Sequence, residues 1–69
     1  MLAMDITING ESRQIPDTCS VSQLIEQLNL TGKRLAMEIN QEIVPRSTFE
    51  SHIICPGDKI EIVGAIGGG

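Results

Sequence analysis

The chain begins with an alternation of apolar and polar residues that predicts a half-buried β-strand. Apolar residues occupy every second position, at Leu2, Met4, Ile6 and Ile8. This two-residue period is typical of a strand with one buried face. Asn9-Gly10 follows and favours a type I′ hairpin turn, in which both central residues take positive φ. Residues 11–15 are therefore predicted to return as a second strand, closed by Pro16-Asp17.

The pattern then changes to the period of an amphipathic helix. Ser20 is suited to cap its N-terminus, and Gln23, three residues later, can complete a reciprocal capping box. Apolar residues recur at i, i+3, i+4 and i+7 and form one stripe: Val21, Leu24, Ile25 and Leu28. We expect the helix to end between Asn29 and Gly32. Because only one of its faces is apolar, it should cover one face of a sheet.

The second half of the chain returns to the alternation of strands. Apolar residues at every second position predict a third strand, with an inward face made of Leu35, Met37 and Ile39. Asn40-Gln41 predicts a turn, and Ile43-Val44 predicts a short fourth strand. Pro45 ends that strand because proline has no N–H to donate to a ladder.

The last third of the chain contains a predicted helical turn and a final strand. We expect a single turn of helix over residues 47–51, with Phe49 pointing inward. Pro56-Gly57-Asp58 is a turn, and residues 59–63 form the last strand, with Ile60 and Ile62 on its core face. Core packing is the expected role of these two isoleucines.

The element order β-β-α-β-β-β predicts an α+β protein. The last strand is available as a parallel partner for the first, and one helix covers one face of a mixed sheet of four to five strands. This is a β-grasp, ubiquitin-like arrangement, although the order alone allows other α+β packings. We expect a β-grasp domain over residues 1–63 and a flexible C-terminal glycine tail over residues 64–69.

Composition and charge exclude several classes of function. With 69 residues, 41% of them hydrophobic and only one aromatic, the chain is one small domain with an aliphatic core. The net charge is −4 and the five basic residues are scattered, which argues against nucleic-acid binding. No apolar run approaches the ~20 residues of a membrane span. The N-terminus also lacks the pattern of a signal peptide, so a soluble cytoplasmic protein is expected.

Residues that could perform chemistry are few. Cys19 and Cys55 are far apart and form no C-x-x-C motif, and His52 is the only histidine. They do not make a zinc set, which needs four ligands at suitable spacing, and no catalytic triad can be assembled. A disulfide would suit a secreted protein, which nothing here indicates, and Cys55 is expected to pack as a small hydrophobe. We predict no metal, no cofactor bound by this chain and no catalytic residue.

The glycine tail is the most informative feature for function. Gly67-Gly68-Gly69 follows an apolar strand through the short link Gly64-Ala65-Ile66. Such a thread has no Cβ atoms at its tip, ends in a carboxylate and can enter a narrow slot on another protein. Its extended reach from Gly64 to Gly69 is roughly 20 Å, at about 3.3 Å per residue.

Two stretches resemble a known family, the sulfur-carrier proteins of the thiamine pathway (the ThiS family). These are residues 35–46, with Asn40-Gln41 and Ile43-Val44-Pro45-Arg46 as the most distinctive part, and residues 57–63 followed by the terminal glycines. The resemblance covers nearly the whole chain and implies a β-grasp fold. It also implies that the chain is a carrier and protein co-substrate, not an enzyme.

The same resemblance implies partners and site residues. A ubiquitin-activating-like adenylyltransferase (ThiF-type) would use ATP and magnesium to adenylate the carboxylate of Gly69. A sulfur donor, such as the persulfide of a cysteine desulfurase, would then convert it to a thiocarboxylate for thiazole synthase (ThiG-type). Gly67 and Gly68 would thread the partner's channel, and Ile66 and Arg46 would contact the partner. A solvated surface charge is an equally good interpretation of Arg46.

Two alternatives remain open at this point. The small subunit of molybdopterin synthase shares the fold, tail and sulfur chemistry but serves another acceptor; its relatives tend to be longer and richer in aromatic residues. A ubiquitin-like interaction module would have no sulfur chemistry. The sequence alone does not identify the sulfur donor, the oligomeric state or any redox role of Cys19 and Cys55.

Overall fold

This computed structural model describes residues 2–64. They form a mixed β-sheet with a helix packed on its inner face. The elements, in order, are β1 (Ala3–Ile8), β2 (Glu11–Pro16), α1 (Val21–Gln27), β3 (Leu35–Ile39), β4 (Glu42–Ile43), the 3-10 helix η1 (Arg46–Thr48) and β5 (Lys59–Gly64). The predicted order of strands and helix, and the β-grasp arrangement, are confirmed.

The last strand of the chain lies in the middle of the sheet. The strand order is β2-β1-β5-β3-β4. β1 and β5 are parallel, as predicted, and Thr7 lies opposite Lys59 and Ile8 opposite Ile60. The β1–β2, β3–β5 and β3–β4 pairs are antiparallel. β5 therefore joins the two halves of the fold.

Both β-hairpins turn through left-handed residues. Asn9 and Gly10 have φ of 50° and 85°, and Asn40 and Gln41 have φ of 54° and 70°. Positive φ at both central residues is what a type I′ turn requires, and it matches the right-handed twist of the flanking strands. Both turn predictions are confirmed.

The N-terminus of α1 also agrees with the sequence. Ser20 and Gln23 form the reciprocal capping box, with hydrogen bonds of 3.1 and 2.9 Å. The C-terminus differs, because α1 ends at Gln27 and not in the range 29–32. Asn29 turns into the left-handed region (φ 59°) and donates its N–H to the Glu26 carbonyl. This C-terminal motif stops the helix before Gly32 is reached.

The core is mostly aliphatic and lies between the inner face of the sheet and α1. Its buried hydrophobic residues are Met4, Ile6, Ile15, Cys19, Val21, Leu24, Ile25, Met37, Ile39, Val44, Phe49, Ile54 and Ile60. The prediction of an inward Phe49 is confirmed, although the helical turn before it, η1, begins one residue earlier than expected, at Arg46.

Two predictions about individual side chains are wrong. Leu2 was expected on the inner face, but it precedes β1 and its side chain is 75% exposed. Cys55 was expected to pack as a small hydrophobe, but it is exposed, and Cys19 is the buried cysteine. The segment around Cys55 alternates, so the burial of Ile54 directs both of its neighbours outward.

Candidate functional site

The candidate site is the end of β5 from which the glycine tail continues. We call residues 62–64 the exit segment. β5 includes Gly64, the first residue of the predicted tail. Four residues of the predicted site lie outside the described residues. They are Ile66, expected to contact the partner, Gly67 and Gly68, expected in its channel, and Gly69, expected to be modified. The structure therefore describes only the base of the tail, where the chain leaves β5.

On one side, the exit segment is paired with β3. Val63 lies opposite Ala36 and Gly64 lies opposite Leu35. Val63 and Ala36 are both exposed, Val63 to 60%, on the face of the sheet that is turned away from α1. This side of the exit segment thus offers a small apolar surface directly beside the start of the tail.

On its other side, the exit segment is held by a side chain instead of a strand. The pairing of β1 with β5 ends at Ile8 and Ile60, and the turn residue Asn9 continues it. The Asn9 N–H donates to the Ile60 carbonyl (2.8 Å). Its carboxamide accepts from the Ile62 N–H (2.9 Å) and donates to the Ile62 carbonyl (3.2 Å). The carboxamide of Asn9 therefore takes the place of a peptide group of β1.

A second turn asparagine holds the other end of β5. The Asn40 N–H donates to the Lys59 carbonyl (2.8 Å), and the Asn40 carboxamide accepts from the Lys59 N–H (3.0 Å). The same carboxamide donates to Asp58 (3.0 Å), whose carboxylate also accepts from the Cys55 N–H (2.9 Å). The two hairpin turns thus fix the strand that leads to the tail at both of its ends.

Arg46 lies at the same end of the sheet, although no hydrogen bond joins its side chain to residues 62–64. Its guanidinium donates to the Lys33 carbonyl (3.3 Å), in the loop that leads into β3. It also borders a cavity of about 180 Å³ whose apolar lining is Ile25, Leu30, Leu35 and Phe49. Leu35 is the residue opposite Gly64. Partner docking by Arg46 stays a prediction.

Two like charges face each other next to the exit segment. Glu38 and Glu61 are directly paired across β3 and β5, on the outer face. Like charges in this position destabilise a sheet. A cationic group placed beside the two carboxylates would relieve the repulsion.

The rest of the described chain offers little for catalysis. Among residues 2–64, no three His, Cys, Asp and Glu side chains are grouped so as to hold a metal ion. Burial raises the pKa of the Cys19 thiol, which disfavours the reactive thiolate. Within the same range, no helix is both long and apolar enough to cross a membrane.

Sequence reasoning missed the role of Asn9 at the exit segment. The pair Asn9-Gly10 identified a turn, but its side-chain contacts with Ile62 span 53 positions in the sequence. No local pattern signals a contact of this kind. The pairing of the first and last strands, which was predicted, is the only indication that the first turn would lie near the tail.

Comparisons with known proteins find relatives along almost the whole chain. The model of the ThiS family matches residues 6–69. The sulfur carrier protein ThiS of Escherichia coli is 38% identical over 66 residues, which are 96% of this chain and 100% of that protein. A thiazole synthase of Paramagnetospirillum magneticum is 41% identical over 66 residues. That alignment covers 96% of this chain, which spans only 20% of the length of that relative.

A solved structure has the same fold. The crystal structure of the thiamine biosynthesis protein ThiS from Geobacter metallireducens superposes with a TM-score of 0.82 at 26% sequence identity. The match covers 96% of this chain and 100% of that one.

Proposed function

The chain belongs to the ThiS family, and we propose that it carries sulfur for thiamine biosynthesis as a thiocarboxylate on Gly69. The observation that carries this proposal is the family match, which extends from residue 6 to Gly69 itself. The relatives named as a sulfur carrier protein and as a thiamine biosynthesis protein support the same assignment.

The first proposed step activates the carboxylate of Gly69. A carboxylate is a poor electrophile because its oxygen is a poor leaving group. A ThiF-type adenylyltransferase, using ATP and magnesium, would let the carboxylate attack the α-phosphorus and expel pyrophosphate. The product is an acyl adenylate, whose leaving group is AMP. All catalytic groups and the nucleotide belong to the partner; the chain supplies the substrate.

The second proposed step introduces sulfur. A persulfide, such as that of a cysteine desulfurase, attacks the carbonyl carbon of Gly69 and AMP leaves with the bonding electrons. The resulting acyl disulfide is cleaved by a thiol, which reduces the S–S bond and leaves the thiocarboxylate. Its sulfur is then the nucleophile delivered to a ThiG-type thiazole synthase. The thiazole synthase relative, of which this chain matches a fifth, supports that partner.

The chain's own contribution is presentation of the reactive end. β5 is held at Lys59 by Asn40 and at Ile62 by Asn9, so the tail starts from a fixed point. Gly67 and Gly68 would pass through a channel in which a Cβ atom would clash. Ile66 and Arg46 would contact the partner surface around that channel.

Intact-mass spectrometry tests the proposal. The chain is incubated with a ThiF-type adenylyltransferase, ATP, magnesium, a cysteine desulfurase, cysteine and a thiol reductant. We expect the mass to change by the replacement of one oxygen by sulfur, and fragmentation should place the sulfur at Gly69. Addition of thiazole synthase and its substrates should restore the original mass.

The matched control is the same chain with a C-terminal amide, which keeps every side chain but cannot be adenylated. A sulfur carrier already shown to accept sulfur from the same enzymes serves as the positive control. If that carrier gains sulfur and this chain does not, the proposal is wrong and a ubiquitin-like interaction module becomes the better assignment. Transfer to molybdopterin synthase in place of thiazole synthase would change the acceptor only.

A further inference from the structure

The two edges of β5 differ beyond Ile62. Successive residues of a strand direct their backbone N–H and C=O groups to opposite neighbours. The Ile60 carbonyl and both backbone groups of Ile62 bond to Asn9, on the β1 side. The Lys59 carbonyl bonds to Asn40, on the β3 side. By this alternation the backbone N–H and C=O of Val63 point towards β3, and those of Gly64 point towards the β1 side.

On the β1 side, the sheet has already ended at Gly64. The pairing of β1 with β5 stops at Ile8 and Ile60, and the Asn9 carboxamide extends it only to Ile62. After Asn9 the chain turns away into β2. Within residues 2–64, no strand therefore runs beside Gly64 on this side. We call this position the open edge.

We propose that the open edge at Gly64 is a docking site for an extended strand of the partner that receives the tail. The N–H and C=O of Gly64 would pair with the backbone of that strand, which would continue the line of β1 past Asn9. This inference rests on the proposed function and adds to it the place and the mode of recognition. Addition of a strand to an exposed sheet edge is a general way of binding protein segments.

The local environment fits a backbone ligand. Gly64 is exposed, and a Cβ atom built on it would meet no atom of residues 2–64 within 4 Å, so the face of the strand at this position is not crowded. The exposed Val63 and Ala36 lie directly beside it and add an apolar contact surface. The other edges of the sheet fit less well, because β4 has only two residues and β2 ends in Pro16.

Continuity with the tail identifies the occupant. Under the proposed function the partner encloses Gly67 and Gly68 and contacts Ile66, only two residues beyond Gly64, so a strand of that partner is within reach of this position. A strand paired at Gly64 would fix the register of the tail. It would thereby set the distance from the fold to the reacting carboxylate of Gly69, and placement within about 1 Å matters for such reactions.

Two substitutions at Gly64 separate the open edge from other effects. Gly64→Pro removes the N–H that faces the partner, and proline is tolerated where an N–H is not used by the sheet. Gly64→Ala is the control, because it adds a methyl group in open space and keeps the N–H. Loss of one backbone hydrogen bond of about 1 kcal/mol corresponds to roughly a 5-fold change in affinity.

We expect the Pro variant to raise the Kd for a ThiF-type adenylyltransferase at least about 5-fold relative to the Ala variant, with equal melting temperatures for the two. Equal dissociation constants would overturn the proposal. Should the Pro variant fail to fold, hydrogen exchange on the unmodified chain decides the question. The Gly64 amide should exchange fast in the free chain and slowly in the complex.

An amide of Gly64 that exchanges equally fast in free and bound chain would also overturn the proposal. So would protection that rises with concentration in the absence of partner, because it would assign the edge to a second copy of this chain. If the unmodified chain gains sulfur while Gly64 stays unprotected, only this inference fails. If no sulfur is gained, the proposed function fails.

Discussion

Among single residues, Asn9 has the most direct influence on the exit segment. Its left-handed backbone forms the turn, and its carboxamide binds both backbone groups of Ile62. The residue at position 9 must therefore tolerate positive φ and must also have a short side chain with a hydrogen-bond donor and an acceptor. Asparagine satisfies both, whereas glycine would satisfy only the first.

A substitution at Asn9 tests this double role. Asn9→Ala should lower the free energy of unfolding by about 1–3 kcal/mol more than Asn29→Ala, as measured by urea denaturation. Asn29 is the matched control, because it also has positive φ (59°), and no hydrogen bond joins its carboxamide to residues 2–64. The comparison therefore isolates the two side-chain hydrogen bonds of Asn9. Equal destabilisation would mean that only the backbone conformation matters at Asn9.

For single residues, the sequence predicts local conformation better than it predicts distant contacts. The pair Asn9-Gly10 predicted a turn because the conformation of a turn depends on neighbouring residues. The contact between Asn9 and Ile62 was not predictable, because it depends on the register of strands that are far apart in sequence. The prediction for Cys55 was wrong for a related reason. Its exposure follows from the packing of Ile54, and the continuous apolar run Ile53-Ile54-Cys55 does not show which of its residues is buried.

Among the elements, α1 is the one that closes the core. Its stripe of Val21, Leu24 and Ile25 is buried against the sheet. Helical period and a capping box predicted this element well, since both act over a few residues. Its last turn was predicted less well, because the left-handed conformation of Asn29 replaced the glycine that a C-cap usually contains.

Truncation of the central side chain of α1 should destabilise the whole protein. Leu24 is fully buried, and Leu24→Ala should cost about 2–5 kcal/mol of unfolding free energy. A domain of this size has a stability of only ~5 kcal/mol, so a large part of the variant population should be unfolded. The control is Gln27→Ala, at an exposed position of the same helix. A melting temperature of Leu24→Ala close to that of the control would show that the stripe does not carry the core.

At the scale of the whole molecule, folding and the proposed chemistry are divided between separate parts of the chain. The buried hydrophobic residues of the described range lie between Met4 and Ile60. The proposed reacting group is at Gly69. The fold could be predicted because its elements have clear periods. The tail could be identified because three terminal glycines follow the last strand through a short link. The open edge could not be predicted, since it depends on where β1 ends relative to β5.

Deletion of Gly68 and Gly69 should separate stability from chemistry. We expect an unchanged melting temperature, because neither glycine has a side chain to bury, and no thiocarboxylate by mass spectrometry. Gly67 would still provide a terminal carboxylate, but the reach would be shorter by roughly 7 Å. Gly68→Val keeps the reach and adds a branched side chain, and it should block the channel. Normal modification of either folded variant would contradict the threading of the tail.

The central position of β5 has a mechanical consequence. A pull on the tail acts along the axis of β5, which is bonded to β3 on one side and to β1 and Asn9 on the other. Hydrogen bonds perpendicular to the strand are then loaded together, in shear, instead of being peeled apart one after another. A partner that draws the tail taut would therefore stretch the thread without extracting the strand, and the domain would act as a rigid stop on the length of chain that can enter.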